Sequence, residues 1–154
     1  TLRQGVTTKP DFDNTELGLL FPQNDPSEIA YIIGQFSHAR KNGSDIHPHV
    51  HWIQTSATTP TWKMDYRWYK NGETIPAWTT LETNGGVFPY TAGDLPQISS
   101  FPTIDGSLID SVSSILDIKL YRDDNDLSGD ALLKEFDIHY QIDQERGSTT
   151  EFAK

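Results

Sequence analysis

Three of the chain's five histidines fall at alternating positions, in the stretch Asp45-Ile46-His47-Pro48-His49-Val50-His51-Trp52-Ile53. Side chains of a β-strand alternate between its two faces. A strand here puts His47, His49 and His51 on one face with Ile53, and Ile46, Pro48, Val50 and Trp52 on the other. Neutral imidazoles are good ligands for zinc, nickel, copper and iron, so the chemistry this row suggests is a transition-metal site. Geometry restricts it. Residues i and i+4 of a strand lie roughly 13 Å apart, so one ion cannot take all three imidazoles from one straight strand. Either two adjacent histidines bind, or symmetry-related copies meet at an axis.

A cupin-type enzyme would use a glycine, five residues, His-x-His and then a glutamate. Gly43 with His49 and His51 meets the opening of that pattern, but Thr55 and Ser56 stand where the glutamate belongs. Cupin ligands also point into the barrel, whereas the apolar face here is the opposite one. The acidic run Asp123 to Asp126 with Asp130 lacks the glycine and distal glutamate of a calcium loop, and reads as solvated. Trp62 and Trp68 offer stacking surfaces for a sugar, yet their spacing with Met64 and Tyr66 reads as core. No Gly-x-Ser-x-Gly, phosphate loop or Cys/His pairing is present. No catalytic residue and no cofactor is therefore assigned. For a metal, His47, His49 and His51 are kept as candidates only.

The elements that must position these residues are short and apolar on alternate positions. Thr61 to Tyr69 sets Trp62, Met64, Tyr66 and Trp68 against Lys63, Asp65, Arg67 and Tyr69. Ser114 to Arg122 sets Leu116, Ile118 and Leu120 against Asp117, Lys119 and Tyr121. Leu133 to Ile142 sets Phe136, Ile138, Tyr140 and Ile142 against Glu135, Asp137, His139, Gln141 and Asp143. Leu17 to Phe21, Glu28 to Phe36 and Trp78 to Leu81 add shorter strands, with another near Leu95 to Ser99. Glu28 to Phe36 is apolar in both phases and is expected to be covered on both faces. Turn formers such as Asn42-Gly43 and Asn71-Gly72 separate the runs, and residues 84–111 are broken by glycine and proline.

The result is an all-β chain, an antiparallel β-sandwich in the form of a jelly roll of about eight strands with extended terminal arms. Residues 1–16 read as an N-terminal arm, 17–143 as the jelly-roll domain and 144–154 as a C-terminal tail. In jelly-roll order the histidine strand neighbours the last strand, so Asp137 and His139 would share the outward face with His47, His49 and His51.

Composition narrows the partners. The formal charge is −10, from 22 acidic and 12 basic residues, which opposes binding to nucleic acid or anionic membranes. Cysteine is absent, excluding disulfides and thiolate sites. No apolar run approaches a membrane span, and the first residues lack the apolar core of a signal peptide. A soluble acidic domain is expected.

Several stretches together resemble a family of small virion structural proteins of tailed bacteriophages. They are Phe36-Ser37-His38-Ala39, Lys41 to Ile46, His47-Pro48-His49-Val50-His51-Trp52, the strand Trp62 to Tyr69, Glu135 to Asp143 and Gly147 to Lys154. The likeness runs from about residue 17 to the end and is poor over 84–111. Its most specific pieces are Pro48 to Trp52 and Phe136 to Tyr140. The resemblance implies a jelly-roll cement or decoration protein on the outer surface of the capsid. It would be a homotrimer partnered with the major capsid protein, touching neither nucleic acid nor membrane. His49, His51 and His139 are the expected interface residues. The alternative is a trimeric head-fibre or tail-fibre module holding metal through a His-x-His pair, with a cupin-like metalloenzyme third.

Overall fold

The computed structural model describes residues 2–4 (as backbone), 9–23, 25–54, 59–83, 95–109, 111, 113–123 and 129–143. The expected tail at 144–154, positions 84–94 and 110 of the loop at 84–111, and positions 124–126 of the acidic run lie outside the described residues. Among the described residues there are ten strands: β1 (Leu2–Gln4), β2 (Asp11–Asp13), β3 (Gly18–Phe21), β4 (Ala30–Gln35), β5 (Ile46–Ile53), β6 (Trp62–Tyr69), β7 (Thr79–Glu82), β8 (Gln97–Ser100), β9 (Ile115–Arg122) and β10 (Ala131–Tyr140). Among the described residues no helix is long and apolar enough to cross a membrane.

The strands form two antiparallel five-stranded sheets, ordered β1-β4-β9-β6-β7 and β2-β3-β10-β5-β8. With β1 and β2 set aside, the remaining eight strands take jelly-roll order, β3-β10-β5-β8 in one sheet and β4-β9-β6-β7 in the other. The segment 1–16, read from its composition as an arm, supplies one outer strand to each sheet. β1 pairs with β4 and β2 with β3. These three-residue strands show no usable alternation, which is why the sequence does not betray them.

The sheets close on a core that includes Phe21, Val50, Trp52, Trp62, Met64 and Leu120, all fully buried. Trp62 and Trp68 are core residues, as their phase predicts. The buried indole N–H groups of Trp52 and Trp68 donate to Ser99 Oγ at 3.0 Å and Ser114 Oγ at 2.9 Å, so their polar edges are satisfied. One expectation fails. β4 is not covered on both faces: Ile33 is 47% exposed, and Gly34 and Gln35 are exposed too. The sandwich has two layers, so one face of every strand looks outward, and apolar content in both phases does not create a third layer.

Two loops are tied down by a side chain the sequence hides. Arg40 is fully buried, stacked 4.9 Å from the Trp68 ring. Its guanidinium donates to the carbonyls of Lys41, Ser44, Ile109 and Ser111 at 2.7–3.4 Å, linking the turn before β5 to the segment before β9.

Candidate functional site

β5 carries the histidine row and obeys its predicted phase. Ile46, Pro48, Val50 and Trp52 are buried, while His47 is exposed and His49 and His51 are half-buried. β10 lies beside it along its length, with cross-strand partners His47↔His139, His49↔Asp137 and His51↔Glu135. Cross-strand partners share a face, so Asp137 and His139 join the row on the outside of the sheet, as expected from jelly-roll order.

This alignment depends on a bulge. The register between β10 and β5 shifts between Leu133 and Glu135, leaving Lys134 as an extra residue. Ala131 and Leu133 belong to the core before it, and Phe136, Ile138 and Tyr140 pack against the core after it. A plain alternation from Leu133 would put Leu133 and Phe136 on opposite faces. The bulge reconciles the two phases and leaves Asp137 and His139 facing outward.

Asp137 is the hub of the resulting cluster. Its Oδ1 stands 3.4 Å from His49 Nδ1, and its Oδ2 stands 3.4 Å from both His51 Nε2 and His139 Nε2. The His51 contact has hydrogen-bond geometry. The His49 contact does not: His49 Nδ1 and Asp137 Oδ1 are both buried and neither has a hydrogen-bond partner among the described residues. The rings of His49 and His139 lie 4.6 Å apart between centroids. Donor atoms of His49, Asp137 and His139 all fall within 4.8 Å of one another.

Burial is the main influence on His49 and lowers its pKa, because the charged imidazolium is the form that desolvation penalises. Asp137 opposes that shift, while His139, His51 and His47 push the same way as burial. The shift favours the neutral imidazole, the form in which a ring nitrogen can ligate.

The structure thus divides the candidate residues. His49, His51 and His139 meet around Asp137. His47 turns aside, with Nδ1 3.1 Å from Thr103 Oγ1. Asp137 is the member that sequence reasoning left unassigned, although its place on the predicted outward face was the signal that could have found it. An apolar cavity of about 230 Å³ lies on the inner side of β10, lined largely by Ile32, Leu116, Ile118, Phe136, Ile138 and Tyr140. Asp123, the described end of the acidic run, pairs with Lys63 at 2.9 Å.

No family profile matches the sequence, and comparison with curated proteins finds no match. Among solved structures the chain is similar to the carbohydrate-binding module TmCBM61, whose structure holds β-1,4-galactotriose. The TM-score is 0.44 and the identity 11%, over 92% of this chain and 88% of that one. It is also similar to the enzymatically active domain of tailspike protein 4 of bacteriophage CBA120. There the TM-score is 0.46 and the identity 9%, over 92% of this chain and 19% of that one.

Proposed function

We propose that this chain is a structural protein of a bacteriophage particle that decorates and stabilises the capsid as a trimer, with the major capsid protein as its partner. One observation carries the reading. The two segments most specific to the resemblance, Pro48 to Trp52 and Phe136 to Tyr140, are far apart in sequence yet lie on adjacent strands in the middle of one sheet. A likeness confined to two scattered motifs would be weak; two motifs that build one continuous surface describe a shared working face. His49, His51 and His139 on that face are the proposed contact residues. The acidic charge suits a protein outside the shell, away from the packaged genome. A contact of standard size, ~1,600 Å², repeated over a capsid would brace it through multivalency.

The test is reconstitution. The full chain is sized in solution and then added to capsids that lack it. Trimers that load onto the particles and raise their resistance to heat support the reading. A monomer that does not bind the capsids overturns it.

The fibre alternative requires an adjacent His-x-His pair from β5 at a symmetry axis. His47 directed to Thr103 and His49 directed to Asp137 favour a cluster built across strands within one chain.

A further inference from the structure

We infer that His49, Asp137 and His139 form a site for one divalent transition-metal ion of the zinc type per chain, with His51 as the residue that orients Asp137. This goes beyond the capsid reading and does not depend on it.

The first argument is distance. Zinc–nitrogen and zinc–oxygen bonds run ~2.0–2.2 Å, which in a tetrahedron sets neighbouring ligand atoms roughly 3.3–3.6 Å apart. Asp137 Oδ1 stands 3.4 Å from His49 Nδ1 and its Oδ2 stands 3.4 Å from His139 Nε2, so each oxygen of the carboxylate has one imidazole at co-ligand spacing. The His49 contact lies outside hydrogen-bond geometry, and both distances match the spacing of co-ligands. The remaining edge, between the two imidazoles, is no more than 4.8 Å. The His139 side chain is 70% exposed, so a rotation of that ring can close it.

The second argument is the pair of orphaned atoms. His49 Nδ1 and Asp137 Oδ1 are buried and face each other outside hydrogen-bond geometry. A buried polar atom without a partner costs about 1–3 kcal/mol. A cation between them satisfies both at once.

The third argument is donor chemistry. Two imidazoles and one carboxylate suit zinc, cobalt, nickel or iron, whereas calcium and magnesium take oxygen ligands. His51 Nε2 on Asp137 Oδ2 at 3.4 Å is the outer hydrogen bond that ligating carboxylates commonly receive. The exposed side of His139 leaves a coordination position open for water or for a side chain of a neighbouring molecule.

The experiment uses the purified full chain, treated with chelator and titrated with Zn²⁺ by calorimetry, and with Co²⁺ to follow its visible spectrum. One ion per chain is expected. His49→Ala, Asp137→Asn and His139→Ala should each weaken binding by ~100-fold or more, and His51→Ala by ~10–100-fold. His51→Gln, which keeps a donor, should recover part of that loss, and His47→Ala should bind as the parent does. Melting curves of the metal-free variants establish that each is folded. The site is overturned if the parent binds no ion at millimolar zinc, or if folded Asp137→Asn binds as the parent. It is also overturned if one-third of an ion binds per chain, or if His47→Ala loses binding as His49→Ala does.

Discussion

His49 and Asp137 are direct cross-strand partners on β5 and β10, with Nδ1 and Oδ1 3.4 Å apart and both atoms buried without a hydrogen-bond partner among the described residues. Two polar groups brought this close by backbone pairing ordinarily rotate into contact. Here Asp137 is shared among three imidazoles, so turning toward one of them means leaving another. The face is held by the sheet beneath it more than by bonds within it.

It follows that the cluster adds little to folding. Partly exposed ion pairs are worth about 0–1 kcal/mol. Asp137→Asn should therefore change the free energy of unfolding by less than about 1 kcal/mol in urea titrations. A loss above roughly 2 kcal/mol would make the cluster a structural element instead.

Arg40 has the opposite character. Its guanidinium serves four loop carbonyls in the interior, and burial lowers its pKa. Arg40→Met keeps apolar bulk but strands those acceptors, at an expected cost of about 3 kcal/mol. That corresponds to a melting temperature lower by roughly 10 °C. Arg40→Lys should recover only part, because an ammonium cannot reproduce the planar fork. Calorimetry of the three proteins checks the order.

Tyr121 gives the fold a limit at high pH. Burial, then its hydrogen bond to Asp65 Oδ1 at 3.0 Å and the charge of that carboxylate, push its pKa up to about 12. In the unfolded chain a tyrosine ionises near 10. The unfolded state thus releases this proton first, so stability is fully present below pH ~10 and is lost as the pH rises toward 12. A phenolate absorbance titration should show a late step that Tyr121→Phe removes. A parent protein whose tyrosines all ionise near pH 10 would contradict this assignment.

The histidine face was legible because β5 alternates without interruption and its inner face is apolar throughout. β6 and β9 were legible for the same reason, and eight strands in jelly-roll order then placed β10 beside β5. What stayed hidden has no periodic signature. β1 and β2 are too short to alternate. Arg40 sits among Ser37, Lys41 and Asn42 in a stretch whose composition says surface loop, and only tertiary packing makes it interior. The Lys134 bulge changes the phase of β10 by one residue, so Leu133 and Phe136, both inward, look like members of opposite faces.

That bulge leads to an outcome contrary to the usual rule. Removing one residue from the middle of a strand turns everything beyond it to the other face. Deleting Lys134 should not. Leu133 already pairs with Trp52, and Glu135 with His51, so excising the residue between them yields regular pairing with both halves in phase. The contact of Lys134 Nζ with the Glu16 carbonyl is lost, along with the extra local twist. An exposed interaction of that kind is worth about 1 kcal/mol. The deletion variant should therefore fold, with a loss below about 2 kcal/mol, and keep Asp137 and His139 on the outward face. Deleting Ile138 provides the contrast. It turns His139 inward and Tyr140 outward, and a protein of ordinary marginal stability should not survive it. Circular dichroism melts of both deletions, with zinc titration of the Lys134 deletion, test the pairing directly. If the Lys134 deletion unfolds while Ile138 proves dispensable, the register assigned to β10 is wrong.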